Sequence, residues 1–126
     1  MHLGQTSFPV PVARQLLGPG KLIGVSTHNP EEIAAAVEAD FLVFGPVYAT
    51  PSKAKYGEPQ GLIRLRQALT QSPLPLLAIG GITVERVPEV LRTGAHGIAV
   101  ISALSAAPDP AQAANALLLQ LGRQSD

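Results

Sequence analysis

Short, continuously apolar runs recur along this chain at intervals of roughly 25 residues, each followed by a helical stretch, and that alternation limits the fold to consecutive βαβ crossovers. The runs are Leu74-Pro75-Leu76-Leu77-Ala78-Ile79, closed by Gly80-Gly81; Gly97-Ile98-Ala99-Val100-Ile101, closed by Ser102; Phe41-Leu42-Val43-Phe44, closed by Gly45-Pro46; and Lys21-Leu22-Ile23-Gly24-Val25, closed by Ser26. The stub His2-Leu3-Gly4 makes a fifth. Apolar throughout rather than alternating, they read as parallel strands with both faces covered. Between them, Asn29 caps a helix that starts at Pro30, with Glu32 at capping-box spacing, and runs through Ala39. Gly61 to Gln71 carries an apolar stripe at 62, 65 and 69, Thr83 caps a helix ended by Gly94, and Asp109-Pro110 opens a last helix to about Leu121. The one long loop runs from Gly45 to Gln60.

Two α/β architectures fit. One is a partial TIM (β/α)₈ barrel, an arc of about five consecutive βα units; the other is an open, parallel, doubly wound sheet. Both place ligands beyond the carboxyl ends of the strands. At 126 residues the chain makes a single domain, 1–126, and falls well short of the roughly 250 residues of a complete eight-unit barrel. Apolar residues are 46% and charged residues 14%, so there is much to bury. Positive and negative charges balance with no block of one sign, which argues against nucleic-acid or membrane-surface partners. Without cysteine there is neither a disulfide framework nor a thiolate metal site. No apolar run approaches the roughly 20 residues of a membrane span, and the N-terminus lacks a signal-peptide pattern, so the expected location is cytoplasmic.

The residues after each strand define the expected site. They are Gln5-Thr6-Ser7, Ser26-Thr27-His28, the segment Gly45 to Lys53, Gly80-Gly81, and Ser102-Ala103. Hydroxyls, backbone N–H groups, one His and one Lys converge, with no carboxylate, a set that suits an anion. Gly80-Gly81 lets backbone approach a ligand closely, and Ser102 adds a hydroxyl where barrels often hold phosphate, after the last two strands. The plainer reading of the glycines is a tight turn. Thr50-Pro51-Ser52-Lys53 supplies two hydroxyls and an ammonium within four residues, a diphosphate clamp or simply a polar loop. His28, at a strand's carboxyl end, could exchange protons near neutral pH, or be a solvated loop histidine. His96 lies at the amino end of its strand and reads as structural. No pair of histidines has metal-ligand spacing, so no metal site is assigned.

These motifs, in this order, resemble a known family. His2-Leu3-Gly4-Gln5, Gly24-Val25-Ser26-Thr27-His28, Gly45-Pro46-Val47-Tyr48-x-Thr50-x-Ser52-Lys53, Ala78-Ile79-Gly80-Gly81-Ile82 and Val100-Ile101-Ser102-Ala103 look like strands four to eight of thiamine phosphate synthase and the TenI-type thiazole tautomerases. The resemblance implies a thiamine-biosynthesis enzyme domain that binds thiazole phosphate or thiamine phosphate. It places the thiazole phosphate on Gly81, Ile101 and Ser102, and diphosphate on Ser26, Thr50, Ser52 and Lys53. In a synthase, Mg²⁺ and these groups stabilise departing diphosphate while the thiazole nitrogen attacks the pyrimidine methylene. In a TenI-type tautomerase, a His at the position of His28 moves a proton and no metal is needed.

Two departures from the family pattern stand out. The chain starts within the expected fourth strand, so the first three βα units, with basic residues and an Asn-Asp pair for the pyrimidine diphosphate and metal, are absent. The metal-binding Asp expected two residues after Gln5 is Ser7, and Thr6-Ser7-Phe8 looks more like the TenI branch. Both count against a competent synthase, leaving a non-catalytic phosphate-binding or regulatory fragment, or an assembly partner, as the alternative. An arc of five strands would leave two bare edges and an uncovered inner face, so a homo-oligomer, a complementary chain or a truncated product is expected.

Overall fold

The computed structural model describes residues 1–49 and 58–124. In chain order the elements are β1 (His2–Leu3), α1 (Val10–Leu17), β2 (Gly24–Thr27), α2 (Pro30–Ala35), β3 (Phe41–Phe44), α3 (Gly61–Gln71), β4 (Leu76–Ile79), a 3-10 turn (Val84–Arg86) running into α4 (Val87–Arg92), β5 (Gly97–Ala99), α5 (Ser102–Ser105) and α6 (Pro110–Gln124). The five strands are parallel and lie side by side in chain order, β1-β2-β3-β4-β5. That order, with no reversal, is the order of a barrel arc, and the sheet is open.

Register sorts the strand residues onto two faces. Leu3, Val25, Leu42 and Leu76 stand in one row, and Thr27, Phe44, Ala78 and Ile98 in another on the same face, since partners alternate in step along parallel strands. Leu42, Leu76 and Ala78 have no exposed surface. They join one hydrophobic cluster with Ala13 of α1, Ile33 of α2, Leu65 and Ala68 of α3, Val87 and Val90 of α4 and Leu117 of α6. All five of those helices therefore cover a single face. Burying each large aliphatic side chain there contributes about 1.5–3 kcal/mol, which is what holds the layers together. The opposite face carries Ser26, Val43, Leu77 and Gly97 in one row, with Ile79 and Ala99 beyond. Of these only Val43 is buried; Ser26, Leu77, Ile79 and Ala99 are half-buried. The unbroken apolar runs lead one to expect cover on both faces, and the described residues provide it on one.

Several elements depart from their sequence-based boundaries. Helix α1 has no counterpart among the expected helices; Pro9 and Pro11 both occupy its start, Pro9 as the cap and Pro11 in the first turn, where a missing N–H costs nothing. The expected strand Lys21–Val25 lies about three residues further on, as β2. Ser26 and Thr27 complete it, and the Thr27 hydroxyl, 1% exposed, donates to the Val43 carbonyl at 3.0 Å, so a polar residue is tolerated in the core. Helix α2 stops at Ala35 rather than Ala39. The chain turns there, through an Ala39 N–H to Ala36 carbonyl bond, so that Ala36 and Ala39 both pack inward. Thr83 does not cap through its side chain; a backbone bond from the Arg86 N–H to its carbonyl opens the 3-10 turn instead. The strand expected over 97–101 ends at Ala99, and Ile101 is 58% exposed at the start of α5.

The amino ends of the strands are fastened by side chains. Asp40 Oδ2 accepts from Arg14 Nη2 at 2.8 Å and from the Ile23 N–H at 2.7 Å, joining α1, β2 and β3. The Arg14 guanidinium bond, then the Ile23 bond, holds the Asp40 carboxyl below its usual range. Arg14 also donates to the carbonyls of Gly18, Lys21 and Glu38. His96 Nδ1 accepts from the Leu76 N–H at 3.0 Å, linking β4 to β5 and giving that residue the structural part expected of it.

Candidate functional site

At the carboxyl ends of the strands lies a cavity of about 540 Å³. Four strands contribute to it: Gly4, Gln5 and Thr6 follow β1, Ser26 to His28 end β2, Val43, Gly45 and Pro46 end β3, and Ile79 and Gly80 end β4, with Glu32 of α2 at the side. Of the expected site residues, Ser26, His28 and Gly80 line this cavity, and Gly81 follows directly. Ile101 and Ser102 sit at the carboxyl end of β5, both exposed, outside its lining. Thr50, Ser52 and Lys53 lie outside the described residues.

His28 is held on three sides. Its ring Nδ1 is 2.8 Å from Glu32 Oε1, and the same oxygen accepts its backbone N–H at 2.8 Å. Gln60 Nε2 donates to its carbonyl at 2.8 Å. A carboxylate can only accept, so facing one the proton sits on Nδ1, and in the neutral ring the lone pair is on Nε2. Asn29 accepts the Glu32 N–H at 2.9 Å as the cap signal predicts, yet Glu32 reaches back to His28 rather than to Asn29. In the sequence Glu32 reads only as a cap residue. Its place four positions after a histidine was the signal, because i and i+4 meet at a helix start.

Ser26 is also engaged. Its hydroxyl lies 2.8 Å from His2 Nε2, and its carbonyl accepts from Gln5 Nε2 at 2.7 Å. Ser7, where the family pattern calls for Asp, folds back so that its hydroxyl accepts the Gly4 N–H at 3.1 Å. Among the described residues Glu32 is the only carboxylate lining the cavity, and it is committed to His28. Among the described residues no three His, Cys, Asp or Glu come together as a metal-ion cage.

The loops after β3 and β4 pack backbone to backbone. The N–H groups of Val47 and Tyr48 donate to the carbonyls of Ile79 and Gly80 at 2.9 and 3.0 Å. Gly80 and Gly81 have φ of +109° and +66°, and a Cβ on either would come within 2.9 Å of the 46–49 backbone. The glycine pair is thus required by its own neighbouring loop as well as by the turn. Tyr48 donates its phenolic proton to Glu89, and Arg86 lies 4.3 Å from the Tyr48 ring centroid. Burial first, and the Glu89 carboxylate second, push the phenol up to about 12, with Arg86 opposing. None of Tyr48, Arg86 and Glu89 is legible as a group in sequence, being brought together only by packing.

Residues 1–104 match the family model for thiamine monophosphate synthase. The chain is 52% identical over 123 residues to a putative thiamine-phosphate synthase of Geobacter sulfurreducens, covering 96% of this chain and 58% of that protein. It is 50% identical to the thiamine-phosphate synthase of Synechocystis, covering 98% of this chain and 36% of the relative. Among solved structures, thiamine phosphate pyrophosphorylase from Pyrococcus furiosus superposes with a TM-score of 0.87 at 35% identity, over 98% of this chain and 59% of that one. A 3-hexulose-6-phosphate synthase from Salmonella typhimurium, at 20% identity and a TM-score of 0.73 over 98% of this chain and 61% of its own, shares the fold. The chain spans less than two thirds of the length of each of these relatives. It belongs to the thiamine monophosphate synthase family.

Proposed function

We propose that this chain is the phosphate-binding portion of a thiamine-biosynthesis enzyme of the synthase type, acting on thiazole phosphate and a pyrimidine diphosphate. The observation that carries the reading is the cavity itself: four strand ends bring hydroxyls, amides and one imidazole together, and among the described residues the one carboxylate in the lining is already paired to that imidazole. Such a lining favours an anionic ligand. The relatives' names support the synthase class over others. In this reading Gly81, Ile101 and Ser102 hold the thiazole phosphate. Ser26, Thr50, Ser52 and Lys53 take the diphosphate as the thiazole nitrogen attacks the pyrimidine methylene and the carbon–oxygen bond to diphosphate breaks. Charge stabilisation on the leaving group is the chain's contribution to that step. Mg²⁺, if bound, would supply further neutralisation. The half-buried face of the sheet would be covered by a second copy or a complementary chain.

An amide NMR titration with thiazole phosphate tests the binding reading. Shifts at Gly81, Ile101 and Ser102 are expected, and a spectrum that does not respond would refute it. Replacing Lys53 with Ala should weaken inorganic diphosphate binding roughly tenfold, the scale of one charge-assisted contact, and unchanged affinity would count against the synthase assignment.

The His28–Glu32 pair supports a second reading, TenI-type tautomerisation. There His28 Nε2 takes a proton from the thiazole carbon framework and returns it at another position, with Glu32 fixing the tautomer. His28→Ala should then slow solvent deuterium exchange into thiazole phosphate carboxylate by about 100-fold or more while sparing phosphate binding. Exchange retained in that variant would remove His28 from the chemistry.

A further inference from the structure

The turn after β4 is gripped by a side chain from the helical turn that follows it. Its Gly81 carbonyl accepts a 2.6 Å bond from Arg86 Nη1, while the N–H groups of Gly81 and Ile82 have no hydrogen-bond partner among the described residues. The only cis peptide bond among the described residues is Gly45–Pro46, so the Gly81–Ile82 peptide is trans. In a trans peptide the C=O and the following N–H point in opposite directions. Gripping the Gly81 carbonyl therefore also sets the direction of the Ile82 N–H. At a glycine this matters, since a residue without Cβ allows its peptide plane to rotate at little cost.

Arg86 is itself held in place. Its guanidinium stacks 4.3 Å from the centroid of the Tyr48 ring, and the Tyr48 hydroxyl donates to Glu89, three residues after Arg86. The Tyr48 N–H returns to the Gly80 carbonyl at 3.0 Å, closing a ring of contacts around the turn. With its phenol pushed up to about 12, Tyr48 keeps the proton it donates across the neutral range.

We infer that Arg86 is a positioning residue for anion binding: it holds the Gly81–Ile82 peptide in one orientation, with the N–H turned away from the guanidinium and left unpaired for a phosphate-ester oxygen. The inference rests on the reading of Gly81 as a phosphate-binding residue. Preset N–H groups bind an anion without first paying to order themselves, which is where the affinity arises. Arg86 touches no ligand in this account; it acts through the turn.

The test titrates thiazole phosphate into the full chain, followed by amide NMR, for wild type, Arg86→Ala, Arg86→Lys and a control, Glu85→Ala, at an exposed site on the same 3-10 turn. Arg86→Ala should weaken binding roughly tenfold and move the Gly81 and Ile82 amide peaks in the ligand-free protein. Its melting temperature should stay close to that of the control, and Arg86→Lys, which can still donate to the carbonyl, should recover part of the affinity. Wild-type affinity in Arg86→Ala overturns this inference alone. So does affinity lost together with folding and not recovered by Lys, which would make the role merely structural. Failure of the wild type to bind would overturn the phosphate reading of Gly81, and this inference with it.

Discussion

Replacing Gly80 with Ala should destabilise the chain by roughly 3–5 kcal/mol, from positive-φ strain and forced overpacking together. A φ of +109° is one that residues with a Cβ rarely adopt, and the added carbon would lie 2.6 Å from Pro46 Cα and 2.9 Å from the Val47 nitrogen. Those are backbone atoms, tied by the Val47 and Tyr48 bonds to Ile79 and Gly80, so they cannot swing aside as a flexible side chain would. Two other glycines separate the contributions. Gly61 has φ +79° with nothing within 4 Å, so Ala there reports strain alone, on the order of 1 kcal/mol. At Gly97 a Cβ meets only the Leu77 Cδ2 at 3.1 Å, without positive φ, and the Leu side chain can give. Urea unfolding of the three variants should rank Gly80→Ala far below the others. A Gly80→Ala midpoint equal to that of Gly61→Ala would show that the two loops are not packed as described.

Leu42→Ala is the second large effect, about 3 kcal/mol within the usual range of 2–5 for a fully buried Leu. Leu42 has no exposed surface and stands in the middle of the row formed with Leu3, Val25 and Leu76, under the helices. Its neighbours belong to paired strands that cannot collapse into the void, so the cavity persists. Leu77, next along β4 from Leu76, points to the half-buried face and should cost clearly less when truncated at low protein concentration. Thermal melts of both variants across a range of concentrations check this. A loss below about 1 kcal/mol at Leu42 would contradict the assignment of that face to the core. A Leu77 cost that grows with concentration would identify a second copy as the cover.

How far the sequence could be read depended on how local the cause was. Strand β3 is legible to the residue because Phe41–Phe44 is bounded by Asp40 and by Gly45-Pro46. Strand β2 is misplaced because Ser26 and Thr27 look like loop residues, and the acceptor that lets Thr27 into the core, the Val43 carbonyl, is 16 positions away. Helix α1 has no counterpart among the expected helices, and it opens on two prolines whose tolerance depends on their position at its start. The cavity was foreseeable because parallel strands always deliver their following residues to one end, which brings Ser26, His28 and Gly80 together without any contact being known. The Tyr48–Glu89 bond joins residues 41 apart, and the Arg86 stack needs the same two loops to meet, so neither has a local signature.

The fastenings at the amino ends, Arg14 with Asp40 and His96 with Leu76, sit at the opposite pole of the sheet from the cavity. These fastenings share no residue with the cavity lining. Such a chain can exchange the residues crowning its strands while the bolts beneath them stay unchanged, leaving its upper loops free to diverge. An engineer seeking a sturdier variant should work on the lower pole, where added bonds would not stiffen or reshape the ligand cavity.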